Sequence, residues 1–125
     1  MRIIAALLVA IVALSHIGFL VLEMFYWDDP LGYRVFGTTA EIAASSRVLA
    51  ANQGLYNGFL AAGLLWGMFS GRRDVKAFFL LCVVIAGVYG GLTAKMSILY
   101  IQGLPALAAL LAVLATPQPR VRHRL

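Results

Sequence analysis

Residues 3–27 form one apolar stretch of 25 residues, interrupted only by Ser15, His16 and Glu23. As an α-helix it would be about 37 Å long at 1.5 Å per residue. That exceeds the roughly 30 Å hydrocarbon core of a bilayer, so the stretch can span with tilt. Three further apolar runs follow, at about 48–69, 77–100 and 103–116. Composition agrees: 62% of the 125 residues are hydrophobic, 12% are charged, and the mean hydropathy is +0.92. A soluble domain carries about 45–50% apolar and about 25% charged residues. So small a body cannot bury this excess, which leaves lipid to cover it. Disorder, a secreted disulfide scaffold and an ordinary cytosolic enzyme are all disfavoured. Cys82 is the single cysteine and supports neither an internal disulfide nor a metal cluster.

A signal peptide is the rival reading of the first run, because Arg2 precedes it and Ala13-Leu14-Ser15 resembles a cleavage site. A signal's apolar region is about 7–15 residues long. This one continues through Phe19, Leu20, Val21 and Leu22, which favours a retained helix. Upstream of the second run, Thr38 and Glu41 fit a capping box. A helix beginning near Thr39 then either bends at Ser45-Ser46 or runs straight into the span. The third run is interrupted late by Lys95. The fourth is short, with Pro105 expected in its first turn, where a missing N–H costs nothing. Pro117 and Pro119 stop it, and a basic tail covers 117–125. The expected fold is all-α: one membrane domain over 1–125, an antiparallel four-helix bundle.

Four spans place Arg2, Arg72, Arg73, Lys76, Arg120, Arg122 and Arg124 on one side, and Arg34, Arg47 and Lys95 on the other. The acids Asp28, Asp29 and Glu41 lie in the first loop. The positive-inside rule then puts both termini in the cytoplasm of a bacterial inner membrane. The net charge of +5 therefore reads as topology rather than nucleic-acid binding.

Small residues let helices approach closely in lipid. The second run carries Gly54, Gly58, Gly63 and Gly67, and the third carries Gly87 and Gly91. Whether these faces pair within one chain or build a homodimer is open at this point.

Ionisable and amide groups inside spans are costly and default to a functional role. Glu23, Asn52, Gln53, Asn57, Lys95 and Gln102 all fall in the outer half of the expected bundle. His16 lies near the face of Glu23, and Tyr56 joins the polar arc of the second run, opposite Gly54 and Gly58. Together they predict a polar cavity or hydrogen-bond network. Glu23 is either protonated, paired with Lys95, or hydrogen-bonded to Asn57. No metal or other cofactor is implied: phosphate loops, H-E-x-x-H and G-x-S-x-G are absent. Gln53-Gly54-Leu55 recurs as Gln102-Gly103-Leu104, which hints at a duplicated helix pair.

These residues also carry a family resemblance. His16, the stretch Leu22-Glu23-Met24-Phe25 with Trp27, Asn52 to Gly63, Ala86 to Gly90, and Gln102 to Ala106 resemble the domain-of-unknown-function 1304 family of small bacterial and fungal membrane proteins. The resemblance covers nearly the whole chain. It implies a four-span inner-membrane protein, sometimes labelled an epimerase, and supplies no catalytic residues. Three functions follow as expectations. The first is binding or transport of a small polar or amphipathic ligand at the polar cluster, with transport requiring a homodimer. The second is a membrane enzyme acting on a lipid or isoprenoid. The third is a structural subunit whose network fixes helix register.

Overall fold

The computed structural model describes residues 1–119 and is all-helical. Helix α1 is Arg2–Phe25, α2 is Pro30–Phe36, α3 is Ala40–Phe69 and α4 is Arg73–Thr93. Helix α5 is Met96–Ala115. It contains a π-helical turn, Leu99–Gly103. Of the basic tail expected at 117–125, Arg120, Arg122 and Arg124 lie outside the described residues.

Three helices, α1, α4 and α5, are long and apolar enough to cross a membrane. The second expected span is not among them. Its helix, α3, is 30 residues long. Asn52, Gln53 and Asn57 dilute its apolar character.

The boundaries differ from expectation in three places, and the alternative left at Ser45-Ser46 is decided, each for a local reason. Thr39, not Thr38, caps α3, its hydroxyl accepting from the Ile42 N–H at 3.3 Å. The Thr38 hydroxyl is buried without a partner among the described residues. Helix α3 is continuous through Ser45-Ser46 because both hydroxyls bond back to the Ile42 carbonyl and leave the backbone ladder intact. The loop expected at 70–76 shrinks to a three-residue turn. Gly71 takes a left-handed φ of 67°, and the Arg72 N–H returns to the Gly67 carbonyl.

The third difference concerns the last two runs. Helix α4 ends at Thr93, where the N–H groups of Ala94 and Lys95 both bond to the Gly90 carbonyl. The last helix therefore begins at Met96, not near Gly103, and is 20 residues long. Pro105 sits inside it rather than in its first turn. Proline lacks an N–H and crowds the preceding turn. The π turn immediately before it absorbs the misfit, the Leu104 N–H reaching back five residues to the Leu99 carbonyl.

The packing is inside out by the standards of a soluble protein. Helix α1 packs on α3 and α5, and α4 packs on the same two. The core is built largely from small residues: Ala5, Val9, Val12, Ala13, Val83, Ala106, Ala109 and Ala112, with Leu64 and Leu80. Large apolar side chains face outward, Phe69 at 81% exposure and Ile3 at 75% among them. Lipid can cover such a surface, whereas water would penalise it. The glycine faces are spent within the chain. Gly54 and Gly58 abut α1, Gly63 and Gly67 abut α4, and Gly87 and Gly91 abut α5.

The backbones of α4 and α5 approach closely. A Cβ on Gly87 would lie 2.5 Å from the Gly103 Cα and 2.6 Å from its nitrogen. Backbone cannot yield as a flexible side chain can. Gly87→Ala is expected to destabilise the protein by about 1–3 kcal/mol, the usual cost of overpacking. Gly18, where an added methyl would meet nothing within 4 Å, serves as the control. Gly18→Ala should be neutral or slightly stabilising by helix propensity. Denaturation midpoints in detergent distinguish the two. Equal midpoints for both variants would contradict the α4–α5 contact.

Candidate functional site

The apolar core occupies one end of the molecule, and polar side chains occupy the other. On α1, Phe19 and Glu23 lie four residues apart and so share one face, and Trp27 follows in the turn after the helix. Helix α3 brings Gln53 and Asn57, and the start of α5 brings Ser97, Ile98, Ile101 and Gln102. Lys95 joins them from the turn before α5. Together they enclose a cavity of about 550 Å³. Val35 and Phe36 of α2 complete its wall.

Two hydrogen bonds tie α1 to its neighbours at this level. The Asn57 amide donates to a Glu23 carboxyl oxygen at 2.9 Å. Of the two partners open to Glu23, this selects Asn57. No ion pair joins Glu23 to Lys95, and the ion pair formed among the described residues is Arg72–Asp74. Glu23 and Lys95 nonetheless line the same cavity. The second bond joins His16 to Gln102 at 3.0 Å. His16 is 1% exposed. Its Nδ1 lies 2.8 Å from the Val12 carbonyl, which can only accept. Nδ1 therefore carries a proton and Nε2 accepts from the Gln102 amide, so both ring nitrogens of the neutral imidazole are satisfied. Phe19 packs edge-on against the ring at 5.2 Å.

The remaining candidates divide. Gln53 and Lys95 reach the cavity. Asn52 does not: it is exposed, bonds its own Val48 carbonyl at 3.1 Å, and lines a separate groove with Asp28 and Arg47. Tyr56 faces outward at 57% exposure and packs on Phe59. The expected polar arc is therefore split. Asn57 turns toward α1 on the same side as Gly54, not opposite it. Gln102 also departs from expectation. It does not precede the last span but lies within its π turn, deep enough to meet His16. The repeated Gln-Gly-Leu places one glutamine from each of α3 and α5 on the same cavity.

Sequence reasoning missed the cover. The segment after α1 reads as a loop by its charges, yet it carries a start and a stop signal for a helix. Asp29 caps α2, accepting from the Leu31 N–H at 3.0 Å, and Pro30 follows as the first residue. Gly37 closes it with a φ of 63°. Phe36 packs on Trp27 at a ring separation of 4.8 Å. Trp27 also donates to Ser46 of α3 at 3.1 Å. The Lys95 ammonium lies over the end of α2, where a side chain at Gly37 would meet it at 3.5 Å. On the outer face of α2, Tyr33 donates to Asp28 at 2.9 Å, and chiefly this bond pushes its phenol above the ordinary tyrosine range.

The family described as "Protein of unknown function (DUF1304)" matches residues 10–114. An uncharacterised protein of Lactococcus lactis subsp. lactis (strain IL1403), YpaA, is 32% identical over 116 residues, covering 90% of this chain and 98% of the relative. No solved structure matches the chain significantly.

The His16–Gln102 bond can be measured. Gln102→Leu and His16→Leu should each lower stability. The double variant should reveal a coupling of about 0.5–1.5 kcal/mol, the usual scale for an interhelical hydrogen bond in a membrane protein. Strict additivity in that double-mutant cycle would show that the two side chains do not interact.

Proposed function

The chain belongs to the DUF1304 family, and from its cavity we propose that it is a four-span membrane protein that binds a small amphipathic ligand. One observation carries this reading: amide, carboxyl and ammonium groups from three segments converge on one volume with an apolar wall. Such a mixture is the usual make-up of a small-molecule site, and about 550 Å³ lies within the usual range of about 300–1,000 Å³. Glu23, Gln53, Asn57, Lys95 and Gln102 hold the polar head. Phe19, Val35, Phe36, Ile98 and Ile101 receive the apolar part. His16 fixes Gln102 from behind.

In this reading α3 is the fourth crossing, in an antiparallel four-helix bundle. Its polar residues are tolerated because Asn57 is bonded to α1 and Gln53 faces the cavity rather than lipid. The surplus of Arg and Lys at Arg2, Arg72, Arg73 and Lys76, with the three arginines beyond residue 119, supports cytoplasmic termini in a bacterial inner membrane. The cavity then opens toward the outer face.

A second reading rests on Glu23 and Lys95 sharing the cavity without pairing. Inversion at a carbon needs a base and an acid on opposite faces of it. An epimerase-like enzyme of lipid or isoprenoid substrates would use the two groups so.

Glu23→Gln tests the binding reading with little disturbance, since glutamine can still accept from Asn57. Thermal melts of purified protein with a metabolite and lipid panel should find a ligand that raises the wild-type midpoint. The variant should bind it at least about tenfold more weakly, or about 1.4 kcal/mol. Unchanged affinity in the variant, or no ligand effect across the panel, would reject this site. Solvent deuterium entering a substrate carbon, lost in both Glu23→Gln and Lys95→Met, would favour the enzyme.

A further inference from the structure

A second concavity lies at the opposite end of the molecule, where α1 begins, α3 gives way to α4, and α5 ends. It encloses about 290 Å³. Three cationic side chains line it, Arg2, Arg73 and Lys76, and among the described residues no acid does. Met68 and Val113 supply an apolar wall.

Two of the cations, Arg73 and Lys76, are held by the fold. Arg73 donates to the Leu114 carbonyl at the end of α5. Its Nε is shut off from solvent and has no acceptor among the described residues. The stem of Lys76 lies against Gly67, where a methyl would meet its Cγ at 2.7 Å. The acid nearest in sequence, Asp74, is already engaged by Arg72 at 2.6 Å and does not line the pocket. A buried N–H without an acceptor and three cations on one pocket without an acid, among the described residues, both favour an anion. Guanidinium and ammonium groups together suit phosphate. The apolar wall beside them suits an anion that carries a hydrocarbon tail.

We propose that this pocket binds a phosphate-bearing anion, with the headgroup of an anionic phospholipid as its source. Basic pockets between helix ends on the cytoplasmic side of membranes are suited to such headgroups. The site is independent of the outer cavity, so it stands or falls separately from the ligand proposed there.

Native mass spectrometry of the full chain in detergent tests it, with phosphatidylglycerol, phosphatidylcholine and inorganic phosphate as probes. Wild type should retain phosphatidylglycerol over phosphatidylcholine, and millimolar phosphate should not displace it. Lys76→Gln should lower that retention about fivefold, the scale of one basic residue at an anionic surface. Arg73→Gln should do the same, but it also gives up the bond to α5, so Lys76→Gln is the cleaner variant. Arg72→Gln is the control: it removes the same charge at the same end from a residue outside the pocket. Equal losses in Arg72→Gln and Lys76→Gln would mean that only net charge matters and would overturn the site. Retention of neither probe would overturn it as well. Ready displacement by inorganic phosphate, without preference between the lipids, would overturn the lipid source and assign free phosphate instead.

Discussion

Two polar side chains on α1, seven residues apart, tie that helix to both of its neighbours. His16 bonds to Gln102 of α5, and Glu23 bonds to Asn57 of α3. In an apolar surrounding such groups cannot be left unpaired without a large penalty. Their pairing therefore fixes the rotation of α1 as well as its depth. Everything at the polar end follows from that rotation. Phe19, Glu23 and Trp27 come to face one volume, and α3 and α5 are held apart around it. Toward the other end the same helix presents Val9, Val12 and Ala13 to a close-packed core. One face of α1 thus serves two ends of the molecule with opposite chemistry.

The last helix solves a related problem. Pro105 falls inside the 20-residue helix Met96–Ala115, where it would break a regular backbone ladder. A π turn accommodates it and rotates the helix locally. Gln102 lies in that turn, and Gly103 closes it against Gly87. Backbone irregularity is tolerated at membrane depth where it is buried in protein or lines a cavity. Here the turn lines the cavity through Ile101 and Gln102 and packs on α4 through Gly103. The irregular turn, the close approach of α5 to α4 and the polar pair with His16 are one structural unit.

Much of the candidate site was legible because polar residues are rare in these runs. Glu23, Gln53, Asn57, Lys95 and Gln102 stood out by chemistry and agreed in depth, and all five line the cavity. Asn52 and Tyr56 stood out equally and do not line it. A helix places successive residues about 100° apart, so a polar cluster such as 52–57 must spread over several directions. Gly54 against Met24 and Glu23 decides which direction faces α1. The short cover helix α2 was hidden by its charges, although Asp29-Pro30 and Gly37 marked both of its ends.

The sequence by itself determined an all-helical chain with long apolar segments, the glycines that allow close packing, and the residue types available to a site. Those properties are local: they depend on composition, period and capping within one segment. Only the tertiary structure decided that Glu23 pairs with Asn57 rather than Lys95, that Gln102 reaches His16, and that the last helix starts at Met96. It also decided that three basic residues at the opposite end share a pocket. These are contacts between segments distant in sequence, and the polar pairs of α1 together with close backbone contacts such as Gly87 on Gly103 fix how each helix is rotated about its axis.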